Sequence, residues 1–210
     1  MNNAPFIPNA PSWDQRYSQP GLLYGSEPNA WLMRQRRLFA NCGKALVVAD
    51  GEGRNGVWLA SCGLQVNAFD ISEVAVAKAR QLAQQAVVTV NFSVADAYSY
   101  TWPPQTYDFV VGIFIQFAAP RQRRALFDAM LASLKPGGYL ILQGYTPSPA
   151  ELEAMGPDLL DHLYTAEQLR TELAAAEIIE LQVYQELLAE QPQQAEPAAL
   201  IGVLAQKPIV

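Results

Sequence analysis

Residues 45–56 read Ala-Leu-Val-Val-Ala-Asp-Gly-Glu-Gly-Arg-Asn-Gly, and this stretch decides the fold. An apolar run typical of a buried strand leads into the spacing Gly51-x-Gly53-x-x-Gly56, which opens a helical segment. Nineteen residues after Gly51, Asp70 ends a second apolar run. Glycines let the backbone approach a ligand, and such an acid accepts hydrogen bonds from ribose hydroxyls. The stretch predicts a nucleoside site; the alternative is a tight turn, with Asp70 only capping a helix or lying at the surface.

The rest of the chain alternates short β-rich runs with helical segments. The patterns predict strands near 45–49, 65–69, 88–92, 107–113 and 138–143, and helices at 55–62, 72–85, 120–134 and 165–175. Runs at 178–188 and 199–206 suit an antiparallel hairpin. Strands separated by helices form right-handed crossovers and a parallel sheet. We therefore predict an α/β, Rossmann-like doubly wound fold: a mostly parallel seven-stranded sheet with an antiparallel C-terminal hairpin and helices on both faces.

The chain divides into three parts of one predicted domain, residues 1–210. Residues 1–27 show no regular period and are predicted to be an irregular arm, followed by a helix at 28–39 with Arg34, Arg36 and Arg37 on its solvated side. Residues 1–40 would act as a lid, 45–143 would bind a cofactor, and 144–210 would add a helix and antiparallel strands. Arg121, Arg123, Arg124 and His162 are predicted to be solvated.

Composition narrows the possible functions. The chain has 210 residues, a formal charge of -6 and only 16% charged residues, which indicates one well-filled soluble domain. An acidic chain without a basic tract is not expected to bind nucleic acid, and no apolar run is long enough to span a membrane. We expect a cytoplasmic protein. Cys42, Cys62 and His162 cannot form a zinc cluster alone, so no metal is expected, and both cysteines are predicted to be buried free thiols.

The charges in the glycine loop indicate which nucleoside it would hold. Asp50 and Glu52 flank Gly51, and two carboxylates repel a pyrophosphate but attract the ammonium and sulfonium of S-adenosylmethionine. None of the nine tyrosines is followed four residues later by lysine, the acid/base pair of short-chain NAD reductases, and no Gly-Lys-Ser/Thr occurs. S-adenosylmethionine is therefore favoured over NAD, and an NAD-dependent reductase is the weaker alternative.

Several motifs, taken in order, resemble a known family. They are the loop at 46–55, residues 66–72 (Val-Asn-Ala-Phe-Asp-Ile-Ser), 95–97, 107–111 and 134–141 (Leu-Lys-Pro-Gly-Gly-Tyr-Leu-Ile). This series resembles the class I S-adenosylmethionine-dependent methyltransferases. The arm, with residues 13–17 (Trp-Asp-Gln-Arg-Tyr) and 24–29, is similar to the subgroup that includes tellurite-resistance and thiopurine methyltransferases.

The resemblance implies a cofactor site and a reaction. The methionine end would lie against Ala49, Asp50, Gly51 and Gly53, the ribose on Asp70, and the adenine against Ile71, Asp96 and Ala97. Ile113 would lie below the transferred methyl, and Trp13 and Tyr17 would fold over the cofactor. Two positions depart from the family: Val47 stands where an acid is usual, and Ala49 where the first glycine is usual.

The expected activity is methylation of a small soft nucleophile, a tellurite-like oxyanion or a thiol, by direct displacement. The resemblance assigns no catalytic residue, and Gln116 inherits no role. A module that binds S-adenosylmethionine or its product without catalysis is the alternative. Oligomeric state does not follow from the sequence.

Overall fold

The computed structural model describes residues 12–41, 43–148, 161–188 and 197–209. Its strands form one seven-stranded sheet in the order β3-β2-β1-β4-β5-β7-β6. The strands are β1 (Lys44–Val48), β2 (Gln65–Asp70), β3 (Val90–Val94), β4 (Tyr107–Ile113), β5 (Leu134–Tyr145), β6 (Glu177–Glu186) and β7 (Ala198–Gln206). The first five pair in parallel, whereas β7 is antiparallel to both β5 and β6. The predicted fold class is confirmed.

Helices cover both faces of this sheet. They are α1 (Trp13–Tyr17), α2 (Ala30–Arg34), α3 (Arg54–Ser61), α4 (Glu73–Gln85), α5 (Pro120–Ser133) and α6 (Ala166–Glu172). One core cluster joins α5 and α6 to one face of the sheet, and a second joins α2, α3 and α4 to the other. The strand order reverses between β1 and β4. Open α/β sheets bind ligands at the carboxyl ends of the strands beside such a reversal.

Local capping signals place several helix ends where the sequence predicts them. The Ser72 side chain accepts a hydrogen bond from the Ala75 amide and begins α4, and Thr165 and Gln168 form a reciprocal capping box at α6. Gly63, just beyond α3, has a φ of 93°, which side chains disfavour. These short-range interactions act within one turn, so the sequence predicts them well.

The N-terminal region differs from prediction in two ways. Within the arm that was predicted to be irregular, residues 13–17 form α1, capped by a reciprocal bond pair between Ser12 and Gln15. The predicted helix at 28–39 is wrong as a single element, because α2 ends at Arg34 and a 3₁₀-helix spans Arg36–Asn41. The tighter winding accompanies packing of Phe39 against the Phe109 ring, with 5.0 Å between ring centroids. Tertiary packing thus overrides the helical period.

Two residues predicted to be solvated are buried. The Arg123 guanidinium donates to both carboxylate oxygens of Glu172 at 2.8 and 2.7 Å and lies 5.5 Å from the Tyr164 ring centroid. The His162 side chain is enclosed, with Nδ1 3.1 Å from the Gln116 carbonyl oxygen. Both predictions are wrong because the partners come from segments distant in sequence, which bury these polar groups with their hydrogen bonds satisfied.

The remaining expectations concern the cysteines and the membrane. Cys62 is a free thiol and is partly exposed, which corrects the predicted full burial, and Cys42 lies outside the described residues. None of the helices in the described parts of the chain has the length and apolarity needed to cross a membrane.

Candidate functional site

The glycine loop turns by placing three residues in the left-handed region. The φ angles are 50° at Ala49, 59° at Gly51 and 89° at Gly53, which is the N-cap of α3. Glycine adopts this conformation freely, whereas alanine is strained there by about 1 kcal/mol. Ala49 thus keeps the turn of the glycine that it replaces. The loop presents bare backbone at the carboxyl end of β1.

Asp50 lies beneath this loop. Its side chain is buried and accepts a hydrogen bond from the Gly56 amide, with an N–O distance of 3.1 Å. Because Gly53 has no side chain to cap α3, Asp50 satisfies one of the free amides in the first turn. Burial raises the pKa of the Asp50 carboxyl to about 8, and the Gly56 hydrogen bond opposes that rise. The aspartate is therefore a helix-capping group with a strongly disfavoured charge.

Asp70 joins the ends of β1 and β2. One carboxylate oxygen accepts from the Gly51 amide at 2.8 Å, and the other accepts from the Ser72 amide at 2.9 Å. These two bonds fix the carboxylate, and burial raises its pKa. A carboxylate offers about four acceptor positions, so Asp70 retains capacity for a diol. Ile71 beside it is 54% exposed, and a flat apolar ligand group would cover that side chain.

The aromatic part of the N-terminal arm lies directly on the glycine loop. A Cβ atom on Gly51 would be only 2.7 Å from the Tyr17 hydroxyl oxygen. Tyr17 is buried, stacks on Trp13 with 5.5 Å between centroids, and meets Tyr24 edge-on. Burial, followed by the charge of Asp70, raises the pKa of the Tyr17 hydroxyl. The structure therefore brings Trp13, Tyr17, Gly51 and Asp70 together.

Glu52, which the sequence analysis expects to attract a cationic cofactor, is bonded to other parts of the protein. One of its oxygens lies 2.8 Å from the Lys78 Nζ atom, and the other accepts from the Leu23 amide at 2.6 Å. The carboxylate is therefore paired with a lysine from α4 and bonded to the arm, so its charge is largely offset within the protein. Sequence analysis missed Lys78, since one lysine on an amphipathic helix carries no signal of its partner.

Asn29, between the arm and α2, is also hydrogen-bonded to the domain. The Asn29 amide N–H donates to Asn55 Oδ1 at 2.9 Å, and the Asn29 side chain donates to Gln143 Oε1. Gln143 in turn donates to the Tyr184 hydroxyl at 2.6 Å. Sequence analysis missed these hydrogen bonds between Asn29, Gln143 and Tyr184. The available signal was Asn29 as a cap before Ala30, but its distant partners required the fold.

The end of β4 carries aromatic and apolar groups. Ile113 is buried, and Phe114 follows with a φ of 56°, a strained conformation for a bulky residue. The Phe114 ring packs on the Tyr145 ring with 4.7 Å between centroids. Gln116 donates to the carbonyl oxygens of Tyr145 and His162, both at 2.9 Å, and accepts from the Tyr145 amide. Gln116 is therefore a structural crosslink.

Asp96 and Ala97 follow β3, one strand further from the glycine loop. Asp96 accepts from the Tyr98 amide at 2.9 Å and is half-buried, and Ala97 is buried. They lie at the same carboxyl edge of the sheet as Asp70, because β3 and β2 are parallel neighbours. All eleven residues predicted for the cofactor site thus lie at or just after the carboxyl ends of strands, or in the arm.

Comparison with known proteins identifies what the central part of the chain is similar to. Residues 45–138 match a family model described as a methyltransferase domain. Residues 45–138 are therefore similar to a methyltransferase domain, in line with the predicted resemblance to S-adenosylmethionine-dependent enzymes. Other solved structures with this fold hold S-adenosylhomocysteine, the product of that cofactor. The bare glycine loop, the fixed Asp70 carboxylate and the exposed Ile71 are compatible with a nucleoside ligand of this kind.

Individual relatives support the domain and its fold. Thiocyanate methyltransferase 1 of Arabidopsis thaliana is 34% identical over 135 residues, which are 63% of this chain and 56% of that protein. The chain thus spans little more than half of that relative. A structure from work on the conversion of a disulfide bond into a thioacetal group during echinomycin biosynthesis has a TM-score of 0.75 and 18% identity, covering 94% of this chain and 91% of the other. TehB from Haemophilus influenzae has a TM-score of 0.70 and 16% identity, covering 93% and 65%. At such identities these two structures show the fold alone.

Proposed function

We propose that the protein transfers a methyl group from S-adenosylmethionine to a small soft nucleophile, a thiol or a tellurite-like oxyanion, by direct displacement. The proposal rests on the residues that end and follow β4. Residues 113–118 read Ile-Phe-Ile-Gln-Phe-Ala, which contains no acid or base, and the Gln116 amide is already bonded. Thiocyanate and tellurite-like oxyanions carry no proton that must be removed before they attack, and a thiol can lose its proton to solvent and bind as the thiolate, whereas a hydroxyl acceptor needs a base in the site.

The residues of the site have proposed roles in binding. The methionine end lies along Ala49, Asp50, Gly51 and Gly53, with Asp70 accepting from the ribose hydroxyls. Ile71, Asp96 and Ala97 hold the adenine, in keeping with the exposure of Ile71. Ile113 supports the methyl group from below, and Trp13 and Tyr17 cover the site.

The chemistry follows from positioning. The cofactor supplies an electrophilic methyl group on a sulfonium. Attack by the soft atom forms its bond to carbon while the carbon–sulfur bond breaks, and the electron pair stays on the cofactor sulfur. The chain contributes alignment and exclusion of water, because charge is neutralised as the bond forms. The ring of Phe114, which follows Ile113 in sequence, packs on the Tyr145 ring, so the surroundings proposed for the acceptor are apolar and suit a polarizable atom.

A relative supports this acceptor class. The Arabidopsis protein is named for thiocyanate, an anion with a nucleophilic sulfur atom. For the present chain the proposal extends to thiols and chalcogen oxyanions. A binding module without catalysis is the competing hypothesis, since the same lack of an acid or base would suit it.

Labelled methyl transfer tests the proposal. The protein is incubated with methyl-labelled cofactor and, separately, thiocyanate, tellurite, selenite, aliphatic thiols and thiopurines, with catechol and glycine as hydroxyl and amine controls. We expect turnover on at least one soft acceptor and none on the controls. Tight binding of S-adenosylhomocysteine without turnover on any acceptor would favour the module, and transfer only to the hydroxyl or amine controls would contradict the acceptor class.

A further inference from the structure

We infer that Glu52 and Lys78 form a latch that holds the aromatic arm over the glycine loop and thereby sets how fast the cofactor leaves. The latch is defined as these two side chains with their bonds to residues 19–23. The inference rests on the proposed function, because it concerns the same cofactor site. Both residues are positioning residues, acting through the arm.

The latch joins three parts of the molecule through short hydrogen bonds. Glu52 lies in the glycine loop between Gly51 and Gly53, and its side chain is only 4% exposed. One carboxylate oxygen accepts from the Leu23 backbone amide of the arm at 2.6 Å. The other accepts from Lys78 Nζ of α4 at 2.8 Å. A charged loop residue is thus bonded both to the arm and to the helix beneath it.

Lys78 adds two further bonds to the arm. Its Nζ atom donates to the carbonyl oxygens of Gln19 at 2.8 Å and Gly21 at 2.6 Å. With Glu52, these bonds use all three N–H groups of the ammonium. The lysine therefore holds two backbone carbonyls of the segment between α1 and α2. Charge-assisted bonds of this kind are about twice as strong as neutral ones.

The enclosed position of the latch separates it from an ordinary surface ion pair. Exposed pairs contribute little because water screens them, as expected for Arg124 and Asp128, which are about half exposed. Glu52 is enclosed, so loss of Lys78 would leave a buried carboxylate without its counter-charge. The structure around Glu52 therefore favours the closed arm.

The latch lies close in sequence to the ring that covers the site. Tyr17 precedes the latched segment by two residues, and its hydroxyl occupies the space that a Gly51 Cβ would need. A ligand lying along Gly51 therefore has to displace or pass the arm when it leaves. Opening the latch would free residues 19–23 together with Tyr17 and speed that exchange.

A second tether holds the start of the arm and limits the expected effect. Asp14 accepts from the Ser72 hydroxyl and from the Val74 amide, the latter at 3.3 Å. Loss of the latch alone therefore loosens the arm between α1 and α2 without releasing α1. The predicted effect is on exchange of the cofactor, and the folded domain is retained.

The experiment compares Lys78→Met and Glu52→Gln with the wild-type protein. Amide hydrogen exchange of residues 13–25 is measured without ligand, and the dissociation rate of S-adenosylhomocysteine is measured by stopped flow. We expect both to rise at least tenfold, because the loss of even one charge-assisted hydrogen bond produces about a tenfold change, and Lys78→Met removes three. Lys78→Arg, which retains a charged donor, should restore most of the wild-type behaviour. Glu52→Gln keeps the size of the side chain and an acceptor for Leu23, so it should fold even if Lys78→Met does not.

The matched control is Lys135→Met. Lys135 pairs with Asp108 at 2.9 Å, but this pair lies near the amino-terminal end of β4, away from the glycine loop. Lys135→Met should leave the amide hydrogen exchange of residues 13–25 and the dissociation rate of S-adenosylhomocysteine unchanged. Unchanged arm exchange in both latch variants, or an equal effect of the control, would overturn the inference. Failure of the wild-type protein to bind S-adenosylhomocysteine would instead refute the proposed function, while the exchange measurement would still decide whether the latch holds the arm.

Discussion

The buried Asp50 carboxyl should make the stability of this protein depend on pH in an unusual direction. Its pKa is about 8 in the folded protein and about 4 when the chain is unfolded. Below pH 4 both states hold the proton, so the folded state has no disadvantage. As the pH rises from 4 to 8, the unfolded chain releases the proton and the folded chain retains it. Stability therefore falls with rising pH over this window.

The magnitude follows from proton linkage. One proton contributes at most about 1.4 kcal/mol per pH unit, which gives about 4 kcal/mol between pH 5 and pH 8. A local rearrangement of the loop that brings other amides of the first turn of α3 toward the anion would reduce this figure. We expect about 2 kcal/mol. Asp50→Asn removes the titration and keeps an oxygen acceptor for Gly56. The free energy of unfolding of the variant, relative to that of the wild type, should therefore be about 2 kcal/mol higher at pH 8 than at pH 5.

Urea unfolding of both proteins at pH 5, 6.5 and 8 measures this difference. A gap in the free energy of unfolding that stays constant with pH would refute the reasoning, because it would mean that Asp50 is charged throughout. Asp108→Asn is the control. Although partial burial opposes it, the Lys44 amide and the Lys135 ammonium keep the pKa of Asp108 below its usual value. Asp108 stays charged across this range, so its substitution should give the same change at every pH.

Three further substitutions test other parts of the site and its support. Asp70→Ala should weaken binding of S-adenosylhomocysteine at least tenfold by calorimetry, since the ribose acceptor and the Gly51 crosslink are both lost; an unchanged dissociation constant would exclude Asp70 as the ribose ligand. Gly51→Ala should also weaken binding at least tenfold, because the new Cβ meets the Tyr17 hydroxyl, and Tyr17→Phe in the same chain should recover part of the loss. Arg123→Met should lower the free energy of unfolding by about 3 kcal/mol in urea, because Glu172 loses its buried partner; a loss below 1 kcal/mol would show that the pair is dispensable.

The fold was largely predictable because its signals are short-range. The period of apolar residues, the glycine turn at 51–56 and the caps at Ser72 and Thr165 each act within one turn or strand. Strand order is the less local feature: the right-handed crossover rule limits the possible orders of β1 to β5, and the structure shows which one is adopted. The predicted helix at 28–39 failed where the period was locally correct but packing of Phe39 favoured tighter winding.

The location of the candidate site could be predicted from the sequence, but the partners of its charged side chains could not. Parallel strands bring their carboxyl ends to one edge, so Asp70, Asp96 and Ile113 could be placed there from sequence. Sequence spacing showed Asp50 and Glu52 as equivalent acids, but one caps α3 and the other holds the arm through Lys78.

By itself, the sequence determined the layered α/β fold and the glycine loop with its acid nineteen residues later. Both depend on residue periodicity and on backbone conformations that only certain residues adopt. The partners of the buried Asp50 carboxyl and of the buried charges of Glu52 and Arg123 became known only from the tertiary structure. A charge in a low-dielectric interior is tolerated only beside a partner, and in a folded chain that partner can come from any distance along the sequence.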